Sequence, residues 1–172
     1  MHTLSASERQ ALETIEQPGM LGQVQQWAAI NSGSGNLEGL ATTADLLADA
    51  FSTLPGEVTL VEPEPADRVL PDGTVTTVSH GQQLLMTVRP ECPTQLLFTG
   101  HMDTVFPADH SFQTLRWLED GTLNGPGVAD MKGGIAVMLA ALTAAESSGK
   151  LAHTGYQILI NSDEEVGSPS SA

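Results

Sequence analysis

Apolar residues recur every three or four positions through the first third of the chain, and this spacing predicts helices. Ser5 followed three residues later by Glu8 matches a capping box, which marks the start of the first helix. Pro18-Gly19 indicates a break before a second helix. Residues 31–36 have the composition of a loop, and residues 37–54 predict a third helix, which Pro55-Gly56 ends.

Shorter apolar runs follow, and these predict strands. Residues 57–62 alternate between polar and apolar, and fragments within 69–78 flank a turn at Pro71-Asp72-Gly73. Residues 83–88, 96–98 and 156–160 are more continuously apolar, and we expect the last two to be buried strands. Because only a short turn joins residues 83–88 to the next strand, we expect these two strands to be antiparallel neighbours in a mixed sheet.

Two further elements lie between the last two predicted strands. Residues 112–123 predict a hairpin that turns at Glu119-Asp120-Gly121. Residues 131–145 predict the most regular helix of the chain, with Ile135, Leu139 and Leu142 on one face. Strands and helices that alternate in this way indicate an α/β fold.

Composition and charge narrow the range of functions. The chain has 172 residues, enough for one domain with a substantial core, and a net charge of −15. This charge disfavours binding to nucleic acid and to an anionic membrane surface. Cys92 is the single cysteine, which rules out an internal disulfide and a thiolate zinc site. We see neither an apolar run of membrane-spanning length nor a secretory pattern at the N-terminus, so we expect a cytoplasmic location.

Polar side chains follow the strands at positions that favour a metal site. His101 and Asp103 come just after an apolar run and share one side of an extended chain, so the carboxylate can hold the second ring nitrogen of a metal-binding imidazole. Asp130 precedes the most regular helix, and Glu164-Glu165 follow the last strand. Groups at strand ends on one edge of a sheet converge, and one imidazole with several carboxylates is a zinc or manganese ligand set.

Each of these residues also has a plainer interpretation. His101 fits an ordinary loop with a solvated histidine, Asp130 fits a helix N-cap, and Glu164-Glu165 fit an exposed acidic loop. In the functional interpretation one glutamate binds metal and the other takes a proton from water. Gly133-Gly134 are costly in the first turn of a helix, which suggests that another backbone or a ligand approaches there.

Three segments in order, Thr99–Pro107, Gly125–Gly134 and Asp163–Ser168, resemble the successive motifs of the M20 family of metallopeptidases, closest to its glutamate carboxypeptidase (carboxypeptidase G2-like) group. The resemblance implies a zinc-exopeptidase-like α/β fold, in which a mixed, mainly parallel sheet is sandwiched by helices. It also implies a zinc-dependent hydrolase of the carboxypeptidase or amidohydrolase type. Such an enzyme cleaves an amide bond next to the terminal amino acid of a small peptide or N-acyl amino acid.

The resemblance also assigns roles to single residues. By similarity, His101 is the imidazole ligand of one zinc ion. Asp103 is a catalytic residue whose carboxylate hydrogen-bonds to this imidazole. Asp130 is the carboxylate that bridges two zinc ions, and a cis peptide bond is expected after it. Glu164 is the general base, and Glu165 is a ligand of the other zinc ion.

The family pattern continues beyond what this sequence contains. It needs another carboxylate ligand, a final histidine and a lid or dimerisation domain, and the resemblance ends before them. We therefore expect residues 1–172 to be the N-terminal part of a single catalytic domain that holds one zinc ion or none, with weak or no activity. A homodimer is expected only of the full-length form. The alternative is a non-catalytic remnant or binding fragment. The histidines without a family match are expected at the surface: His2, His80, His110 and His153.

Overall fold

Four helices lie in the part of the chain that the computed structural model describes, residues 4–171. They are α1 (Ala6–Glu13), α2 (Gln17–Ala28), α3 (Leu37–Phe51) and α4 (Gly133–Ser147). The predicted capping box is confirmed, since Ser5 and Glu8 exchange both hydrogen bonds. The break between the first two helices falls at residues 14–16, ahead of the predicted Pro18, because proline is well tolerated in the first turn of α2. His2 lies outside the described residues.

Eight strands within the same described residues form one four-stranded sheet and two hairpins. They are β1 (Glu57–Val61), β2 (Ala66–Val69), β3 (Val75–Val78), β4 (Gln83–Val88), β5 (Thr94–His101), β6 (Arg116–Trp117), β7 (Leu123–Asn124) and β8 (Thr154–Asn161). The main sheet has the order β1-β4-β8-β5. The hairpins β2-β3 and β6-β7 confirm the two turns predicted from sequence, and Trp117 pairs with Leu123 in the second.

The main sheet is mixed, as predicted, but its order differs from the prediction. β8 lies between β4 and β5, so these two strands are not neighbours. β4 runs antiparallel to both β1 and β8, and only β5 and β8 are parallel. The prediction of a mainly parallel sheet is therefore wrong for the described strands. The physical reason is that the strongly apolar β8 is buried most favourably in the centre, where it pairs with both strands.

The core lies between the sheet and the helices. Its largest fully buried side chains come from α2, α3, α4 and the central strands: Trp27, Leu40, Leu47, Phe51, Leu84, Met86, Ile135, Tyr156, Ile158 and Ile160. Burial of each such side chain stabilises the fold by about 1.5–3 kcal/mol. The face of α4 that the sequence predicted, with Ile135, Leu139 and Leu142, packs into this core.

β5 is less buried than its sequence predicted. Leu96 is 42% exposed and Leu97 is 64% exposed, so the expectation of a buried strand is wrong for these residues. Within residues 4–171, β5 is an edge strand with a neighbour on one side only. Its carboxyl end is nevertheless well enclosed, since His101 is only 6% exposed. The strand therefore delivers its last residue into a buried position.

The segment Val128–Ser147 is long and apolar enough, by length and composition alone, to cross a membrane. This corrects the expectation that no such segment exists. The same segment contains α4, whose Ile135, Leu139 and Leu142 are buried against the rest of the domain. A core helix passes the same test of length and composition.

Candidate metal centre

The imidazole of His101 lies between two carboxylates at the carboxyl end of β5. Its Nδ1 is 3.2 Å from Oδ1 of Asp103, and its Nε2 is 3.0 Å from Oδ1 of Asp130. Because Asp103 is fully buried, its carboxylate favours a proton on Nδ1. The Nε2 atom then faces Asp130, which is the orientation of a metal-binding histidine, and it becomes a ligand atom once its proton is lost.

Asp103 also determines where the two glutamates lie. Its Oδ1 accepts a hydrogen bond from the backbone N–H of Glu164 at 3.2 Å, and its Oδ2 accepts one from the N–H of Glu165 at 3.1 Å. The hydroxyl of Ser34 donates to the same Oδ2 at 2.7 Å. One buried carboxylate therefore joins the imidazole, the loop before α3 and the segment after β8.

Charge and burial shift the ionisation of the two buried groups. The hydrogen bond to Asp103 raises the pKa of His101 to about 9, with a further contribution from Asp130, although burial acts in the opposite direction. For Asp103, burial favours the neutral form, but hydrogen bonds from His101, Ser34 and the Glu165 N–H outweigh it and hold the pKa below its usual value. In the metal-free protein the pair is thus an imidazolium and a carboxylate.

Asp130 lies in a kinked turn, Val128–Lys132, which leads into α4 and in which the backbone of Asp130 and Met131 is not helical. The peptide bond from Asp130 to Met131 is cis, as the family resemblance led us to expect. The side chain of Asp130 is 77% exposed and caps neither this turn nor α4. The helix-cap interpretation of Asp130 is therefore wrong, and its carboxylate remains free to bind a cation.

The start of α4 is held in place by a close backbone contact and a buried lysine. A Cβ atom on Gly133 would lie 2.6 Å from the carbonyl oxygen of Val128, which confirms the predicted close approach of a backbone for Gly133. A Cβ atom on Gly134 would meet only the side chain of Met131, at 3.2 Å. Lys132 is only 1% exposed, and its Nζ donates to the carbonyl oxygens of Trp27 at 3.1 Å and Ile30 at 3.2 Å. Burial lowers the pKa of Lys132 to about 8. Lys132 therefore ties the Asp130 turn to the end of α2.

Glu164 and Glu165 begin a single turn of 3-10 helix directly after β8. Oε2 of Glu164 lies 4.0 Å from Nε2 of His101, and the Glu164 side chain is 52% exposed. Glu165 is half-buried, and its burial together with the nearby carboxylate of Asp130 raises its pKa. The more enclosed glutamate thus faces the other acidic group, where a cation would relieve the repulsion.

The predicted metal ligands meet in one place. One ligand atom each from His101, Asp130 and Glu165 lies within 4.8 Å of the other two. Zinc binds imidazole nitrogen and carboxylate oxygen at about 2.0–2.2 Å, so neighbouring ligand atoms of a tetrahedral ion lie about 3.3–3.6 Å apart. The described side chains therefore fit a zinc ion after small rotations of the carboxylates. Asp103 stands behind the imidazole, where such a site needs a carboxylate.

The sequence did not single out two residues that shape this centre, Ser34 and Lys132. Ser34 lies in a loop that packs against the segment directly after β5. The Ser32 hydroxyl donates to the carbonyl oxygen of Met102 at 2.7 Å, and a parallel bridge joins Gly33 to Thr104. The small polar residues of this loop were a signal of a turn, but nothing in them indicated which carboxylate they would contact. For Lys132, the signal was its place between Asp130 and the glycine pair.

The remaining histidines lie away from the cluster. His110 and His153 are exposed, as predicted. His80 is half-buried, and its Nδ1 is enclosed without a hydrogen-bond partner in the described part of the chain, so the prediction of a surface position is wrong for this residue. His80 lies two residues after β3 and lines a cavity together with Ser34 and Val166.

Comparison with known proteins agrees with this geometry. Residues 97–172 match the family described as Peptidase family M20/M25/M40. Carboxypeptidase G2 of Pseudomonas sp. is 30% identical over 155 residues, which cover 90% of this chain and 34% of that protein. Succinyl-diaminopimelate desuccinylase 2 of Shewanella loihica is 40% identical over 100 residues, which cover 51% of this chain and 26% of that protein.

Solved structures show the same fold. Human carnosine dipeptidase 1 superposes with a TM-score of 0.73 at 22% identity, over 98% of this chain and 37% of that structure. An M20 family metallo-carboxypeptidase of Sulfolobus solfataricus superposes with a TM-score of 0.67 at 19% identity, over 87% of this chain and 32% of that structure. The family match and the sequence matches lead to one assignment: the chain belongs to the M20 peptidase family, and it spans about a quarter to a third of the length of these relatives.

Proposed function

We propose that this chain carries part of the active site of a zinc-dependent hydrolase that cleaves an amide bond next to a terminal amino acid. The observation that carries the proposal is the cluster of His101, Asp130 and Glu165, with Asp103 buried behind the imidazole. A metal site of this composition beside a free carboxylate, that of Glu164, has the parts that metal-assisted hydrolysis requires.

The substrate class follows from the named relatives. These include a carboxypeptidase, a desuccinylase and a dipeptidase. All three names describe enzymes that cleave an amide bond. We therefore propose a small peptide or an N-acyl amino acid as the substrate of this site.

Each residue of the centre has a distinct role in the proposed reaction. Zinc, when bound, supplies Lewis-acid chemistry that polarises a carbonyl and acidifies water. Asp103 holds the proton on Nδ1 of His101, which keeps Nε2 free as a ligand atom. The exposed carboxylate of Glu164, 4.0 Å from Nε2 of His101, is placed to take a proton from water and to return it to the leaving amine.

The number of ligands limits what this chain does by itself. Three side chains meet in the cluster, enough for one zinc ion with an open position. We therefore propose that residues 1–172 form the N-terminal part of one catalytic domain, bind one zinc ion and hydrolyse slowly. In this proposal a second zinc ion, which Asp130 would help to hold, belongs to a longer protein, as do a lid domain and a homodimer. A cytoplasmic location stays a prediction from sequence.

The test combines zinc titration with single-turnover hydrolysis of N-acetyl amino acids and dipeptides. H101Q and E165Q should each weaken zinc binding by about tenfold or more, whereas E164Q should retain zinc and lose at least about a hundredfold in hydrolysis. E119Q, which changes an exposed glutamate in the turn between β6 and β7, is the matched control.

Three outcomes contradict parts of this proposal. Unchanged zinc affinity in H101Q and E165Q overturns the metal site. Tight binding of two zinc ions by this chain alone overturns the single-ion proposal. Zinc binding with hydrolysis equal in the unaltered chain and in E164Q overturns the role of Glu164 and favours the alternative of a non-catalytic binding fragment.

A further inference from the structure

We propose that Arg68 and His80 form a carboxylate-binding subsite beside the metal centre. The subsite would select substrates with a negative charge on the part that extends away from the cleaved bond. The proposed role of this subsite in substrate selection rests on the proposed function. The proposed binding of a carboxylate rests only on the positions of Arg68 and His80.

A groove leads from the metal centre to this subsite. One cavity of about 290 Å³ is bordered by Glu165 of the metal cluster. A second cavity of about 340 Å³ is bordered by Arg68 and His80. Ser34, which holds Asp103, lines both cavities together with Gly35 and Val166. The two cavities therefore share a wall, and a substrate bound at the cluster can extend along it.

The β2-β3 hairpin places a cation at the far end of this groove. Residues two apart on a strand share a face, so Ala66 and Arg68 lie on the same face of β2. Ala66 pairs with Val78, and His80 follows two residues later. These four residues line the second cavity. The intervening Asp67 also lines this cavity, and its carboxylate accepts a hydrogen bond from the Thr77 hydroxyl at 3.1 Å.

Both groups lack a partner within residues 4–171. The ion pairs found there do not include Arg68, and Nδ1 of His80 is enclosed with no hydrogen-bond partner. Arg68 is exposed, so its guanidinium can meet a ligand directly, whereas the enclosed Nδ1 of His80 can meet one only after its side chain turns. A guanidinium matches a carboxylate with two parallel hydrogen bonds, which makes this anion the best fit for Arg68.

The negative charge of the whole chain makes the positive charge of Arg68 in this groove more significant for binding an anion. A chain with six Lys and Arg residues and a net charge of −15 repels anions in general. An anionic substrate would therefore need a specific positive group to enter the groove, and Arg68 is placed to supply it. The carboxylate can come either from the terminal amino acid of the substrate or from an acidic side chain or acyl group.

The experiment titrates the isotope-labelled full chain with three probes, followed by NMR, with and without zinc. N-acetylglutamine offers only an α-carboxylate, N-acetylisoglutamine only a side-chain carboxylate, and N-acetylglutamine amide neither. We expect at least one charged probe to bind more tightly than the neutral one. R68Q should abolish that preference with a loss of about tenfold or more in affinity, and R68K should keep most of it.

R116Q, a change of an exposed arginine on the separate β6-β7 hairpin, is the matched control and should bind as the unaltered chain does. H80F should weaken the charged probe that R68Q weakens. The probe that shows the effect identifies the source of the carboxylate. Equal affinities for all three probes, or a preference for the charged probes that survives R68Q, would overturn the proposal.

This result separates the subsite from the proposed function. A preference that depends on Arg68 in a chain that binds no zinc supports the subsite and contradicts the zinc hydrolase. Zinc binding that depends on His101 in a chain without any Arg68-dependent preference supports the proposed metal site and contradicts the subsite.

Discussion

Nδ1 of His101 lies 3.2 Å from Oδ1 of Asp103, and both side chains are buried at the carboxyl end of β5. This single contact fixes the orientation of the imidazole, because the carboxylate stabilises a proton on Nδ1 and leaves Nε2 to face Asp130. The same carboxylate accepts hydrogen bonds from the N–H groups of Glu164 and Glu165. The side chain of Asp103 therefore links the first motif, Thr99–Pro107, to the third motif, Asp163–Ser168.

The first prediction concerns pH and the metal-free protein. The pKa of His101 is raised from about 6.5 in an unfolded chain to about 9 in the folded one, so the folded state binds the proton more tightly. Its stabilising effect is complete below about pH 6.5, is lost as the pH rises through about 9, and is on the order of 3 kcal/mol in all. Urea unfolding with a chelator present, at several pH values between these limits, measures it.

H101Q is the comparison for this experiment, because glutamine does not titrate in this range. The difference in free energy of unfolding between the unaltered chain and H101Q should shrink as the pH rises. H110Q, at an exposed histidine, should show no such trend. A difference that stays constant or grows across the range would contradict the assignment of the shift to His101.

A second prediction concerns the substitution D103N. An amide in place of the carboxylate removes the charge next to His101 and turns an N–H₂ group toward donors, leaving buried groups without partners. We expect a loss of about 1–3 kcal/mol in the free energy of unfolding and a loss of about 10- to 100-fold in zinc affinity. Denaturant titration and chelator competition measure the two effects, with D109N at an exposed position as the control.

A third prediction concerns Ser34, which the sequence did not single out. Removing its hydroxyl in S34A deletes the 2.7 Å hydrogen bond to Asp103 and should cost about 0.5–1.5 kcal/mol of stability. Zinc affinity should fall less than in D103N, because Asp103 keeps its contact with His101. S79A, at an exposed serine, controls for the loss of a hydroxyl. Identical unfolding curves for S34A and S79A would show that the contact does not stabilise the fold.

A fourth prediction concerns the exposed edge of the sheet. Leu97 is 64% exposed on β5, which has a free edge within residues 4–171, and such an edge favours association with another strand. L97K should therefore reduce self-association in sedimentation velocity experiments at high protein concentration. L118K changes a leucine that is 45% exposed in the turn between β6 and β7 and should have a smaller effect. Equal effects of the two substitutions would indicate general surface hydrophobicity instead.

Much of the local structure was predictable because it depends on neighbours in sequence. The capping box at Ser5 and Glu8, the helix 37–51 and the turn at Glu119-Asp120-Gly121 follow from short-range hydrogen bonds, periodicity and turn chemistry. The strand order was not predictable in this way. An apolar run such as β8 predicts burial, but it does not predict which strands lie beside it. Strand pairing depends on the packing of the whole core.

For the metal centre, the sequence by itself determined which side chains carry the chemistry: His101, Asp103, Asp130, Glu164 and Glu165, three motifs in a family order. Only the tertiary structure decided that Asp103 holds both the imidazole and the glutamate turn, that Ser34 supports it, and that Arg68 and His80 stand at the end of the same groove. The physical reason is distance along the chain. These contacts join segments tens of residues apart, and only the packing of the sheet and helices brings their polar groups within hydrogen-bonding range.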